Sequence, residues 1–262
     1  MSPWPYPRIF AHRGGGSLAP ENTLAAIRLG QSLGYAGHEF DVKLSRDEVA
    51  MLLHDDTLDR TTDGRGRACE LGWAELCRLD AGGWHSEAFR GEPLPAFDAA
   101  ARLLLSRGTL ANAEIKPSEG FDRITGERVA GEAQALWRGA AVPPLLSSFS
   151  FEALVAAKET APQLPRGWLT KEFDDGDWER LEALEAVSLH TDHRTRDRID
   201  IARLHDKGYR VLLYTVNDVA TAEELFAAGV DGIFTDELRL FAERFPEAIR
   251  APDSSIRGQA PD

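Results

Sequence analysis

The chain repeats one pattern eight times, a short apolar run followed by a longer amphipathic one. The apolar runs fall at residues 8–11, 37–44, 110–115, 145–149, 167–169, 187–190, 211–216 and 232–235. Helical periodicity occupies 21–33, 97–106, 124–137, 151–160, 178–185, 196–207, 219–227 and 237–245. Strands that alternate with helices form βαβ units, and such units build a parallel sheet. Eight of them in 262 residues predict an α/β fold, a closed (β/α)8 TIM barrel, since that barrel takes about 250 residues. An open dinucleotide-binding sheet fits less well. His12-Arg13-Gly14-Gly15-Gly16 follows the first strand where such a sheet would carry Gly-x-Gly-x-x-Gly.

Local signals agree with this reading. Pro20-Glu21-Asn22-Thr23 is expected to open the first helix with a proline and an acidic first turn. Gly34 and Gly208 are suited to end helices. The rhythm breaks between about 45 and 95. Residues 49–53 read as a short strand, reached from Leu44 through a hairpin-like turn, Ser45-Arg46-Asp47-Glu48. The stretch from Arg60 to Pro95 has no βα rhythm. It reads as a small insertion after the second strand, over the barrel mouth, where βα loops build active sites. The expected organisation is one catalytic domain over 8–250 and a polar, disordered tail over 251–262.

Charge and composition narrow the function. A net charge of −13 argues against a nucleic-acid partner, which calls for a basic surface. An anionic substrate would need local cations rather than the global field. Two cysteines, Cys69 and Cys77, make no disulfide framework. They read as free thiols in a reducing compartment. No leader-like N-terminal pattern or apolar stretch of membrane-spanning length is present, so a cytoplasmic protein without stable membrane association is expected.

The chemistry-bearing residues cluster at early strand ends. Glu39 and Asp41 stand two apart, so a strand aims both carboxylates one way. Glu114 and Lys116 repeat that spacing. Buried charges of this kind need partners. Glu39, Asp41 and Glu114 offer hard oxygen ligands for Mg²⁺ or Ca²⁺. Arg13 brings a planar fork suited to phosphate, and Lys116 a point charge. His12 and His54 are candidate general acid and base, because imidazole titrates near neutrality. Each motif alone has an ordinary explanation in turns or salt bridges. Their coincidence at three early strands carries the reading. Phe149, His190 and Tyr214, at later strand ends, are candidates to line the mouth. His38 should face the helices as a satisfied core histidine. His85, His193 and His205 read as surface or insertion residues. Asp236 reads as a cap or hydrogen-bond partner, Asp55 and Asp56 as turn residues or supports for His54, and Trp73 and Trp84 as a small core.

At these residues the chain resembles the glycerophosphodiester phosphodiesterase family. The motifs are His12-Arg13-Gly14, Pro20-Glu21-Asn22-Thr23, Glu39-Phe40-Asp41-Val42, His54-Asp55, Arg60-Thr61-Thr62, Glu114-Ile115-Lys116, Leu146-Ser147-Ser148-Phe149, Tyr214-Thr215-Val216-Asn217 and Thr235-Asp236. Its opening and the Leu53-His54-Asp55-Asp56 run look closest to the cytoplasmic bacterial branch tied to glycerol-3-phosphate uptake. The resemblance implies a TIM barrel with a small insertion and divalent-metal dependence. It also implies hydrolysis of small-molecule glycerophosphodiesters to an alcohol and sn-glycerol 3-phosphate. Carried onto matching positions, it makes Glu39, Asp41 and Glu114 metal ligands, His12 and His54 the acid–base pair, and Arg13 and Lys116 phosphate contacts. Tyr214 stands where many relatives have Trp, which leaves head-group preference open. Attack by the glycerol 2-hydroxyl or by water are both compatible. Two other readings are a phospholipase-type enzyme on intact lipid and a non-catalytic barrel that binds a phosphometabolite. Oligomeric state is not legible.

Overall fold

A computed structural model describes residues 4–252. The strands, in chain order, are β1 (Ile9–Ala11), β2 (Gly37–Leu44), β3 (Ala50–Leu52), β4 (Leu110–Ile115), β5 (Leu145–Ser148), β6 (Arg166–Thr170), β7 (Ser188–Asp192), β8 (Arg210–Tyr214) and β9 (Gly232–Thr235). Among the described residues, all but β3 pair in parallel. β1 pairs with both β2 and β9, which closes the sheet into the expected eight-stranded barrel. The helices are α1 (Leu24–Ser32), α2 (Trp73–Leu76), α3 (Phe97–Arg107), α4 (Asp122–Leu136), α5 (Phe151–Thr160), α6 (Gly176–Ala183), α7 (Ile201–Asp206), α8 (Val219–Ala227) and α9 (Leu238–Arg244).

The core has two parts with different jobs. Outward-facing strand residues such as Phe40, Val42, Ile115 and Leu146 pack with helix residues Phe97, Leu104, Val129 and Leu154. Inside the barrel, Tyr6, Phe10, Leu145, Leu212 and Phe234 form a separate apolar plug. The plug fills the lower barrel, so the charged residues one layer above stand at the C-terminal mouth.

Two boundaries differ from expectation in ways that matter. The first helix starts at Leu24, with Thr23 as its N-cap: Thr23 Oγ1 accepts from the Ala26 amide at 3.1 Å. Glu21 and Asn22 therefore stay outside the helix, and Asn22 takes a left-handed φ of 58°, which asparagine tolerates better than most residues. The sixth helical pattern, 196–207, splits into a 3₁₀ turn (His193–Arg198) and α7, because Asp200 caps the Arg203 amide and restarts the helix.

Between β3 and α3 the chain forms its own small core of Met51, Leu53, Leu58, Ala68, Leu76, Ala81 and Leu94. Trp73 packs against it. Trp84 does not: it is 41% exposed, against the expectation of a core role. β3 runs antiparallel to β2, with Lys43 opposite Met51. Both cysteines are free thiols. The expected disordered tail, apart from exposed Ala251 and Pro252, lies outside the described residues.

Candidate active site

Strand alternation on β2 sorts its residues by face. Phe40, Val42 and Leu44 join the helix-side core, so Glu39, Asp41 and Lys43 face the barrel interior. Parallel pairing sets Asp41 beside Glu114 and Glu39 beside Asn112. One ligating atom from each of Glu39, Asp41 and Glu114 lies within 4.8 Å of the others. His12 and Arg13 follow β1 directly, and Arg13 takes a left-handed φ of 49°. Such backbone is uncommon for a bulky residue and is held only by a fixed surround. Here the Arg13 amide donates to Glu39 Oε2 at 2.8 Å.

Each imidazole has a carboxylate behind it. His12 Nδ1 lies 2.7 Å from Asp236 Oδ1, and Nε2 lies 3.9 Å from Glu39 Oε2. His54 Nδ1 lies 2.7 Å from Asp55 Oδ1. These carboxylates are themselves held. Asn217 Nδ2 donates to Asp236 Oδ2 at 3.2 Å. Arg60 donates to both oxygens of Asp55, at 2.6 and 3.0 Å, and to both oxygens of Glu21, at 2.6 and 2.8 Å. Glu21 Oε1 also accepts from Arg13 Nη1 at 2.7 Å. Asn22 clamps Asp41 from two sides: Nδ2 donates to Oδ2 at 2.8 Å, and Oδ1 accepts from the Asp41 amide at 3.0 Å. Lys116 Nζ donates to Glu114 Oε1 at 2.8 Å and lies 3.3 Å from Asp41 Oδ1.

These contacts divide the carboxylates. Burial and the Asp41 charge push Glu39 well above the usual carboxylate range. Burial and Asp41 push Glu114 up as well. Burial also acts upward on Asp41, but Lys116, His54, Arg13 and Asn22 outweigh it and hold Asp41 below that range. Three buried carboxylates thus resist ionising together. A divalent cation relieves that repulsion, and an all-oxygen donor set fits a hard one. The imidazoles also part. Burial lowers His12, but the Asp236 hydrogen bond and the Glu39 and Asp236 charges raise it past its ordinary value. Burial, with Lys116 and Arg13, lowers His54 despite the pull of Asp41.

One cavity of about 360 Å³ is lined by all ten residues singled out from sequence: His12, Arg13, Glu39, Asp41, His54, Glu114, Lys116, Phe149, His190 and Tyr214. Phe149 and Tyr214 meet edge to face at 5.9 Å and form one wall. His190 is fully buried, with Nε2 2.9 Å from Ser188 Oγ. His38 is buried with Nδ1 3.3 Å from the Gly14 carbonyl, yet its Nε2 has no partner among the described residues, so it is only half satisfied. Sequence reasoning missed Glu21 and Asn22, which it assigned to a helix turn, and it gave Arg60 no role. Thr23 was the available signal, since an N-cap there frees both preceding side chains. Lys43 also escaped notice, although it continues the Glu39–Asp41 row.

The sequence matches the glycerophosphoryl diester phosphodiesterase family over residues 12–240. A glycerophosphodiester phosphodiesterase of Caldanaerobacter subterraneus is 32% identical over 229 residues, covering 87% of this chain and 93% of the relative. An Oleispira antarctica phosphodiesterase, solved with its product sn-glycerol-3-phosphate, superposes with a TM-score of 0.81 at 34% identity, over 92% of this chain and 97% of that one. A glycerophosphodiester phosphodiesterase of Agrobacterium tumefaciens gives 0.73 at 29% identity, over 90% and 99%. With a family match across nearly the whole barrel and the same fold in these relatives, the chain belongs to the glycerophosphoryl diester phosphodiesterase family and is an enzyme of that class.

Proposed function

We propose that this enzyme hydrolyses small glycerophosphodiesters to an alcohol and sn-glycerol 3-phosphate, with His12 and His54 as its acid–base pair. The observation that carries the reading is the meeting of two carboxylate-backed imidazoles, three buried carboxylates and two phosphate-seeking cations on one cavity. Glu39, Asp41 and Glu114 are the residues that would hold a divalent cation, Mg²⁺ or Ca²⁺. When bound, that cation supplies Lewis-acid polarisation of a phosphoryl oxygen.

The chain's own groups do the rest. Arg13 and Lys116 grip non-bridging phosphate oxygens, Arg13 through its planar fork. One imidazole takes the proton of the attacking hydroxyl, and the other returns a proton to the departing alkoxide oxygen. Asp236 and Asp55 keep each ring turned with its second nitrogen toward the cavity. The attacking hydroxyl is the glycerol 2-hydroxyl, giving a cyclic phosphate that water opens, or water itself. Phe149 and Tyr214 give the glycerol carbons an apolar wall. A cytoplasmic setting belongs to the same reading, and the two free thiols accord with a reducing compartment. No described helix is long and apolar enough to cross a membrane.

The test is release of sn-glycerol 3-phosphate from glycerophosphocholine, followed by a coupled dehydrogenase. Activity should vanish in chelator and return with Mg²⁺ or Ca²⁺, while ³¹P NMR distinguishes a cyclic intermediate from direct hydrolysis. Full activity after stripping would overturn the metal assignment. Cleavage of intact phospholipid in vesicles, with no action on glycerophosphocholine, would favour the phospholipase reading instead. Binding of glycerol phosphates without turnover would favour a non-catalytic barrel.

A further inference from the structure

We infer that Lys43 is a positioning residue, a buried tether that fixes the His54 loop against the Lys116 end of β4. The inference rests on the proposed roles of His54 and Lys116.

Lys43 is the third member of the inward row on β2, after Glu39 and Asp41. Its side chain is 1% exposed. A lysine so deep needs its ammonium fully engaged, because a buried charge without partners is strongly unfavourable. Nζ finds two partners, and they belong to different parts of the site. It donates to Asp56 Oδ1 at 2.7 Å, and Asp56 is two residues beyond His54. It also donates to the Lys116 carbonyl at 3.1 Å. The two tethered segments face each other across a groove lined by Lys43, His54, Asp56, Glu114 and Lys116, among others. That groove opens from the reaction cavity, with which it shares His54, Glu114 and Lys116.

The strand ladder alone does not do this job. β3 ends at Leu52, and the last backbone tie before His54 is the Leu53 amide to the Asp41 carbonyl at 3.2 Å. Beyond that point the loop is held from the insertion side, where the His54 ring rests on Asp55, Arg60 holds Asp55, and the Asp56 carbonyl accepts from the Ala68 amide at 3.0 Å. Lys43 supplies the tie from the other side, through Asp56. At Lys116, the amide donates to the Val42 carbonyl at 2.9 Å and the carbonyl accepts from Lys43. Both backbone groups of Lys116 are thereby pinned to β2, which aims its ammonium at Asp41 and Glu114. Among the described residues the Lys43 ammonium bonds to Asp56 and the Lys116 carbonyl and to neither imidazole, so it acts through the groups it holds.

The test compares Lys43→Met, Asp56→Ala, Asp56→Asn and the Lys43→Met/Asp56→Ala double variant in steady-state release of sn-glycerol 3-phosphate, with thermal melts alongside. Methionine keeps most of the lysine volume and removes both donated hydrogen bonds. Lys43→Met should lower kcat about 10- to 100-fold, the scale set by roughly an ångström of misplacement, while KM stays near the parent value. Asp56→Asn keeps an acceptor for Nζ and should retain most of the turnover. Asp56→Ala should lose turnover as Lys43→Met does, and the double variant should be no worse than the poorer single one, since both cut one tether. Wild-type kcat in a well-folded Lys43→Met protein would overturn the inference, as would losses that multiply in the double variant. Should Lys43→Met fail to fold, the Asp56 pair decides, because Asp56 is half exposed and Asp56→Ala equal in turnover to Asp56→Asn refutes the tether. A parent enzyme that releases no glycerol phosphate would instead sink the proposed function.

Discussion

Asp236→Asn isolates what a carboxylate behind His12 contributes. In the parent, Asp236 receives two donors: His12 Nδ1 at 2.7 Å on one oxygen and Asn217 Nδ2 at 3.2 Å on the other. Asn217 cannot turn around, because its Oδ1 already accepts from the Asp236 amide at 2.8 Å and from Thr235 Oγ1 at 3.2 Å. An asparagine at 236 has one acceptor oxygen for two donors, so its NH₂ must face one of them. If it faces His12, the imidazole is forced to carry its proton on Nε2, the nitrogen on the cavity side. If it faces Asn217, His12 keeps its tautomer but loses the charge of its acceptor. Losing a charge-assisted hydrogen bond removes about 1.5–3 kcal/mol. That corresponds to roughly a 10- to 150-fold fall in kcat/KM. His12→Ala removes the group itself and should fall further, by about 10²–10⁴-fold. The Asp236→Asn change should add almost nothing in a His12→Ala background, since it acts only through that ring. The sign of the pH effect also follows. Asp236 is the largest of the influences that hold His12 above its ordinary value against burial. The limb of the pH–rate profile due to His12 should therefore move to lower pH in the variant. The assay is coupled detection of sn-glycerol 3-phosphate across pH 5–9 (roughly the imidazole range). Parent-like turnover in Asp236→Asn, or a loss that multiplies with His12→Ala, refutes the reasoning.

Arg60→Met should lower turnover about tenfold, because Asp55 and Glu21 lose the guanidinium that joins them and positioning effects of this kind reach about 10²-fold; its melting temperature should change little, since Arg60 is 44% exposed and exposed ion pairs contribute about 0–1 kcal/mol. Thermal stability without divalent cation should depend on pH in a fixed direction: Glu39 and Glu114 titrate above the usual carboxylate range when folded, so their protonated forms favour the fold, and that support is lost as pH rises toward and past neutrality. Asp41 has the opposite sign and acts only in acid, below the ordinary carboxylate range, so it does not cancel the trend. Scanning calorimetry in chelator should show the melting temperature falling over that interval and recovering when Mg²⁺ or Ca²⁺ is added; a flat profile would contradict the burial argument.

What could be read from the sequence was what repeats or alternates. The eight βα units gave the barrel, and two-residue spacing on β2 and β4 gave the shared face of Glu39, Asp41 and Glu114. What could not be read was the outer ring of partners, because each arrives through a turn or a non-local approach. Asn22 reaches Asp41 only because the chain takes a left-handed step at 22 before Thr23 starts α1. Arg60 lies 39 residues from Glu21, and the separation says nothing of their contact. Asp236 was legible as a hydrogen-bond partner, but its partner, 224 residues away, was not. Trp84 shows the limit of composition: a tryptophan in a small insertion suggests a core, and here it stands by the groove beside His12 and Arg13.

The two halves of the acid–base apparatus depend on different closures of the chain. His12 leaves β1, and Asp236 leaves β9, so their contact exists only where the first and last strands pair and seal the barrel. His54 sits beyond β3, outside the barrel wall, and reaches the mouth because Arg60, Asp55 and the Lys43–Asp56 pair lash the inserted loop to the rim. Glu21 joins the two systems: it accepts from Arg13 beside His12 and from Arg60 behind Asp55. A displacement of either loop therefore reaches the phosphate-seeking arginine as well as an imidazole. The charges that a barrel interior would ordinarily exclude are tolerated here because nearly every one has a named opposite or an amide against it. Glu39 and Glu114 still lie above the usual carboxylate range despite the Arg13 amide and the Lys116 ammonium against them, and it is between them, beside Asp41, that the family's divalent cation has its physical reason to bind.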